Sequence, residues 1–168
     1  VTSDNFSVLI QVDLLPPTSI SDITGADPLN FEYGTTLVSD YDVVVYPNPG
    51  ASQLVTWTLS DPSGKALPEG ISIDAVTGTV TIDKDTDPDQ VPSNLKITAT
   101  ANEKTESGET LTTDKTVTVN TSRPAPTTVK INDQGDITVK WNDNGYTKTY
   151  PATVGPTKYV DPSVDWTV

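Results

Sequence analysis

The chain contains no cysteine, no methionine and no histidine. Without cysteine there is no disulfide, no thiolate metal site and no cysteine nucleophile. Without histidine the usual general base and the commonest metal ligand are both missing. Positive charge is scarce as well: 10 basic side chains face 23 acidic ones, a net charge of −13. Binding to nucleic acid or to an anionic membrane surface needs clustered Lys and Arg, so neither is an expected partner. No apolar run reaches the roughly 18 residues that a spanning helix needs, so direct membrane insertion is not expected. Val1-Thr2-Ser3-Asp4 lacks the basic opening of a signal peptide, and the chain reads as a piece of a longer precursor.

What is present is alternation. In Leu95-Lys96-Ile97-Thr98-Ala99-Thr100-Ala101 the odd positions are apolar and the even ones polar. That is the pattern of a half-buried strand. Val55, Trp57 and Leu59 form a similar row, as do Val80 and Ile82, Val117 and Val119, Ile137, Val139 and Trp141, and Val8, Ile10 and Val12. No window carries a convincing helical stripe. Thr and Val are abundant, and both are stiff at χ1 and favour extended chain. The 14 prolines and 10 glycines fall at short intervals, in Tyr46-Pro47-Asn48-Pro49-Gly50, Asp61-Pro62-Ser63-Gly64, Leu67-Pro68-Glu69-Gly70 and Thr77-Gly78. Short strands between closely spaced turns predict an all-β fold of antiparallel β-sandwich modules, immunoglobulin-like in size.

A repeat marks the module ends. Pro17 and Pro126, Thr18 and Thr127, and Ile20 and Val129 are each 109 positions apart, and so are Trp57 and Trp166. Between these landmarks the match is poor, and gaps are expected. A period of this size suits one immunoglobulin-sized unit. Residues 1–15 then read as the closing strand of a preceding module, or a donor strand. Residues 16–122 form one complete module. Residues 123–168 start a further module or make a small β unit. The prolines at both junctions fix φ, which makes each hinge short and semi-rigid and the array a rod.

Tyr46-Pro47-Asn48-Pro49, followed by Val55-Thr56-Trp57-Thr58-Leu59-Ser60-Asp61-Pro62, resembles the bacterial Ig-like (Big) family. Leu67-Pro68-Glu69-Gly70-Ile71-Ser72-Ile73-Asp74 and Thr77-Gly78-Thr79-Val80-Thr81-Ile82 resemble a passage of putative-Ig and cadherin-like bacterial modules. The resemblance covers most of 16–122. It implies tandem Ig-like modules outside the cytoplasm, in S-layer proteins, adhesin stalks or accessory modules of secreted enzymes. It transfers no catalytic residue, and function resides in sites, not folds.

The sharpest candidate for chemistry is Asp83-Lys84-Asp85-Thr86-Asp87-Pro88-Asp89. Alternating Asp83, Asp85, Asp87 and Asp89 suit Ca²⁺, a hard cation that takes about six to eight oxygens. The glycine of the usual loop is missing, no ligating Glu follows, and the bland reading is a solvated acidic turn. Asp13, Asp22 and Asp27 suggest a second cation site between modules, against a reading as ordinary surface aspartates. Paired carboxylates are inevitable among 23 acids and do not by themselves make a glycosidase. Trp57 and Trp141 lie in phase with apolar neighbours and read as core. Tyr146 and Tyr150 flank Asn144-Gly145, a turn, and are the better candidates for stacking on sugar rings.

The expected function is therefore non-catalytic: a structural repeat segment of a bacterial cell-surface protein, either an S-layer lattice subunit or an adhesin stalk. Its partners would be copies of itself or neighbouring Ig-like modules, and its place extracellular. A carbohydrate- or host-binding module, with cell-wall or host glycans as ligands, is the first alternative. A phage decoration or fibre domain, or a strand-exchanged filament subunit, is the second.

Overall fold

A computed structural model describes residues 13–132, 149–155, 158 and 163–165. The regular structure among them is all β. From the N-terminal side come β1 (Ser19–Ile20), β2 (Thr24–Gly25), β3 (Leu29–Glu32), β4 (Leu37–Asp42), β5 (Val45–Tyr46) and β6 (Val55–Ser60). They are followed by β7 (Ile71–Ile73), β8 (Thr79–Ile82), β9 (Asn94–Lys104), β10 (Thr110–Ser122), β11 (Thr128–Ile131) and β12 (Ala152–Gly155).

Two four-stranded sheets make the body. One has the order β2-β4-β8-β7, and its pairings are antiparallel. The other has the order β3-β10-β9-β6, with β3 parallel to β10 and the rest antiparallel. With β2, β4, β6, β7, β8, β9 and β10 lettered A to G, the sheets are ABED and CFG. That is the immunoglobulin constant-type arrangement, with β3 added beside G.

The two inner faces meet in one core. Tyr41, Ile71, Val80 and Ile82 come from the first sheet; Leu29, Phe31, Trp57, Leu95, Ile97, Ala99, Val117 and Val119 come from the second. Burying one such aliphatic or aromatic side chain contributes about 1.5–3 kcal/mol, so the period-two rows dominate the stability of the sandwich. Trp57 is 3% exposed and stands in register with Ala99 of β9, as the phase of its row predicts. Room for the indole is made at Gly78, where φ is +74° and an added Cβ would lie 2.7 Å from Trp57 Cε2.

Among the strands absent from the sequence reading are β3 and β4. In β3, Leu29 and Phe31 are almost fully buried, but the strand is short and its partner β10 lies some 90 residues away. In β4 the inward row is Leu37, Ser39 and Tyr41, while Val38 points outward, so the polarity pattern is blurred.

The 109-residue period reappears in the hydrogen bonds. Thr18 N donates to Tyr46 O at 2.8 Å and Thr127 N to Gly155 O at 2.9 Å; 127 less 18 and 155 less 46 are both 109. The hydroxyl of each threonine also reaches that same carbonyl, at 3.4 and 3.3 Å. β1 pairs with β5 through Ser19↔Tyr46 and Ile20↔Val45, and β11 pairs with β12 through Thr128↔Gly155 and Val129↔Val154. The same offset links every pair. Between these paired ends the two segments have equal lengths of chain, so no net gap separates them.

Candidate functional site: the two ends of the module

The described chain arrives along the β5–β6 turn. Leu15 N donates to Gly50 O at 2.9 Å, and Pro17 is fully buried. Leu15, Pro16 and Pro47 line a groove of 730 Å³, shared with Thr105, Glu106 and Glu109 of the β9–β10 turn. β10 leaves from beside that turn and runs for 13 residues. At about 3.4 Å per residue it travels about 40 Å, so the chain enters and leaves at opposite ends of the sandwich.

At the outgoing end three segments are tied together. Tyr33 N, in the β3–β4 turn, donates to Ser122 O, and Gly34 N donates to Lys84 O, each at 2.9 Å. Arg123 follows β10 directly. Its Nη2 donates to Asp89 Oδ2 at 2.8 Å and to Asp87 Oδ1 at 3.3 Å, while Cζ sits 5.2 Å from the centre of the Tyr33 ring. The hydrogen bond to Asp89, chiefly, holds the guanidinium pKa above its ordinary value. A planar fork over an aromatic face with two carboxylates suits arginine and would not suit lysine. Pro124 and Pro126 come next, so the first residues beyond the module are held by a side-chain clamp and then stiffened by fixed φ. Lys158 Nζ, beyond β12, reaches back to Asp85 Oδ1 at 2.7 Å.

The four aspartates of the outgoing loop have distinct places. Asp83 Oδ1 accepts the N–H of Asp85 at 2.9 Å, and Asp87 Oδ1 accepts that of Asp89 at 3.1 Å. These are two successive side-chain-capped turns, and their spacing accounts for the alternation of Asp along the segment. Asp85 pairs with Lys84 and Lys158, and Asp87 and Asp89 with Arg123. Among the described residues no group of three or more acids is placed to hold a metal ion. Thr86 is tucked beneath the loop, 5% exposed, its hydroxyl against Gly70 Cα and without a hydrogen-bond partner. Asp27, a candidate for an inter-module cation, instead accepts the N–H of Thr118 at 3.0 Å, where β3 begins to pair. Asp13 and Asp22 are exposed.

Tyr150 is 38% exposed. Its position is 109 after that of Tyr41, a core residue whose hydroxyl donates to Ala26 O at 2.8 Å. Tyr146, Trp141, Trp166 and the row Val8, Ile10, Val12 lie outside the described residues. The clamp at Arg123 was missed by sequence reading, because its partners are 34 and 36 residues earlier in the chain. A basic residue directly before Pro-Ala-Pro, in a chain so acidic, was the available signal.

Among the described residues no helix is long and apolar enough to cross a membrane. No protein-family model matches the chain. No curated protein matches it. Among solved structures it is similar to a chimeric titin Z1Z2 functionalized with a KLER exogenous peptide from decorin. That likeness is 16% identity over 62% of this chain and 100% of that chain, with a TM-score of 0.29.

Proposed function

We propose that the chain is a non-catalytic structural segment of a bacterial cell-surface protein, a rod of Ig-like modules in a lattice subunit or an adhesin stalk. The observation that carries this reading is the path of the chain: in at one end of the sandwich, out at the other, through a clamped prolyl junction, and into the same hydrogen-bond register 109 residues on. A module so connected transmits force along β10 and its neighbours and sets the direction of the next unit. The bacterial surface is supported by the resemblance of the Tyr46–Pro62 and Leu67–Ile82 passages to bacterial Ig-like modules. The partners are neighbouring modules and further copies.

Small-angle X-ray scattering on the 168-residue chain should give one extended particle with a narrow distribution of maximum dimension. A folded-back particle would reject the rod. Antibody raised against the chain should label intact source cells; labelling only after lysis would reject the surface location.

A further inference from the structure

We propose that Asn120 is a site of N-linked glycosylation, its side-chain amide taking an oligosaccharide on the flank of the sandwich beside the outgoing junction. This rests on the extracellular placement proposed above, since such transfer belongs to exported chains, and adds a modification at a named atom.

The sequence contains two Asn-x-Ser/Thr triplets, Asn5-Phe6-Ser7 and Asn120-Thr121-Ser122, and the first lies outside the described residues. Such triplets also arise by chance in a chain rich in Asn, Ser and Thr, so placement decides. β10 pairs with β9 as far as Thr118↔Asn94, and Val119 N donates to Ser93 O at 2.9 Å. Asn120, Thr121 and Ser122 run on past the start of β9, paired with Asn30, Phe31 and Glu32 of β3. Thr121 and Ser122 there line a cleft of 400 Å³ shared with Pro88 and Pro124. Along β10, Val117 and Val119 are buried while Thr118 and Asn120 are exposed. The period of two therefore sets the Asn120 carboxamide on the wet face, with exposed Ser122 in phase on the same face. Those are the two groups the transfer needs: the amide that is modified and the hydroxyl two residues on.

The amide keeps its structural tie when it is modified. Asn120 Nδ2 carries two hydrogens and donates to Asn30 Oδ1 at 3.0 Å. Transfer from a lipid-pyrophosphate-linked oligosaccharide breaks one N–H bond and the anomeric C–O bond. It forms an N–C bond to the anomeric carbon and releases the lipid pyrophosphate and a proton. One N–H remains for Asn30. The residue directly opposite, Asn30, and the one two positions earlier, Thr118, are both uncharged, so a glycan seated between them desolvates no ion there. A bulky, solvated group would stand three residues ahead of the Arg123 clamp and keep this flank of the junction from lateral contact.

The test reads the peptide of residues 116–130, which trypsin leaves whole because Arg123-Pro124 resists cleavage and in which Asn120 is the one Asn. Taken from the protein of source cells, it should carry the added mass of a glycan. Peptide N-glycosidase should remove that mass and convert Asn120 to Asp. The 168-residue chain secreted from a host with N-glycosylation machinery should gain a glycan on the same peptide. Ser122→Ala should lose it and Thr121→Ala should keep it. Both variants alter exposed side chains and leave the bond from Tyr33 N to Ser122 O in place. A bare Asn120 in the source protein would overturn the proposal. So would a bare Asn120 in the secreted chain, or a glycan that survives Ser122→Ala. Antibody labelling of cells and the mass of this peptide are separate readings, so labelled cells with a bare Asn120 sink the glycan and leave the surface location standing.

Discussion

Nη2 of Arg123 stands 2.8 Å from Oδ2 of Asp89, joining the first residue after the last strand of the sandwich to a loop 34 residues earlier. The contact is at the surface, where ion pairs add little to folding stability. Its consequence is directional: it fixes how the chain departs. Arg123→Ala should therefore leave the melting temperature of the module nearly unchanged in calorimetry. Spin labels on the module and on β11 should show a broader distance distribution. About 1 M salt, where the screening length falls to about 3 Å, should broaden the wild type in the same way. A distribution that stays narrow in the variant would remove Arg123 from the junction.

Gly78 and Gly64 both have positive φ, at +74° and +79°. An added Cβ at Gly78 would meet Trp57 Cε2 at 2.7 Å and Tyr41 O at 2.8 Å, whereas at Gly64 nothing lies within 4 Å. Left-handed backbone costs a side chain about 1–2 kcal/mol, and overpacking adds about 1–3 kcal/mol. Gly78→Ala should cost about 3 kcal/mol in urea unfolding and perturb the tryptophan emission; Gly64→Ala should cost about 1 kcal/mol and leave the emission alone.

Asp74 Oδ1 accepts the N–H of Thr77 at 2.9 Å and of Val76 at 2.8 Å, and these bonds, that of Thr77 first, hold its carboxyl below the ordinary carboxylate range. Ser63, through its hydroxyl and then its N–H, does the same for Asp61. A carboxyl depressed by folding stabilises the fold above its unfolded pKa, and that stability is lost as pH falls through the folded value. Stability should thus be level from neutrality down to the ordinary carboxylate range and fall below it. Asp74→Ala should flatten part of that acid limb in a urea series between about pH 2 and 5. An unaltered limb would mean that Asp74 is not held down.

Arg123, Lys84 and Lys158 occupy the carboxylates of Asp85, Asp87 and Asp89. A calcium ion would have to displace these cations. The melting transition should therefore be the same in millimolar Ca²⁺ and in EDTA. A rise with Ca²⁺ that Asp87→Asn abolishes would show that the loop rearranges around the ion.

Rows of alternating residues on β6, β8, β9 and β10 were legible because one face of each is buried and the other wet, which writes burial directly into the polarity of neighbours. The Asx-capped turn at Asp61 lay within a stretch readable as a turn, and that at Asp74 leads into Thr77-Gly78, since such chemistry acts over two or three residues. Local order, strand phase, the core position of Trp57 and the 109-residue spacing of landmarks were determined by the amino-acid sequence alone. Tertiary structure decided the rest. It paired β3 in parallel with β10, set the N–H of Thr118 against the exposed carboxylate of Asp27, and brought Asp87, Asp89 and Tyr33 around Arg123. The physical reason is separation. Periodicity and turn propensity act between neighbours along the chain. A clamp or a strand pairing joins residues tens of positions apart, and those meet only once the two sheets have packed.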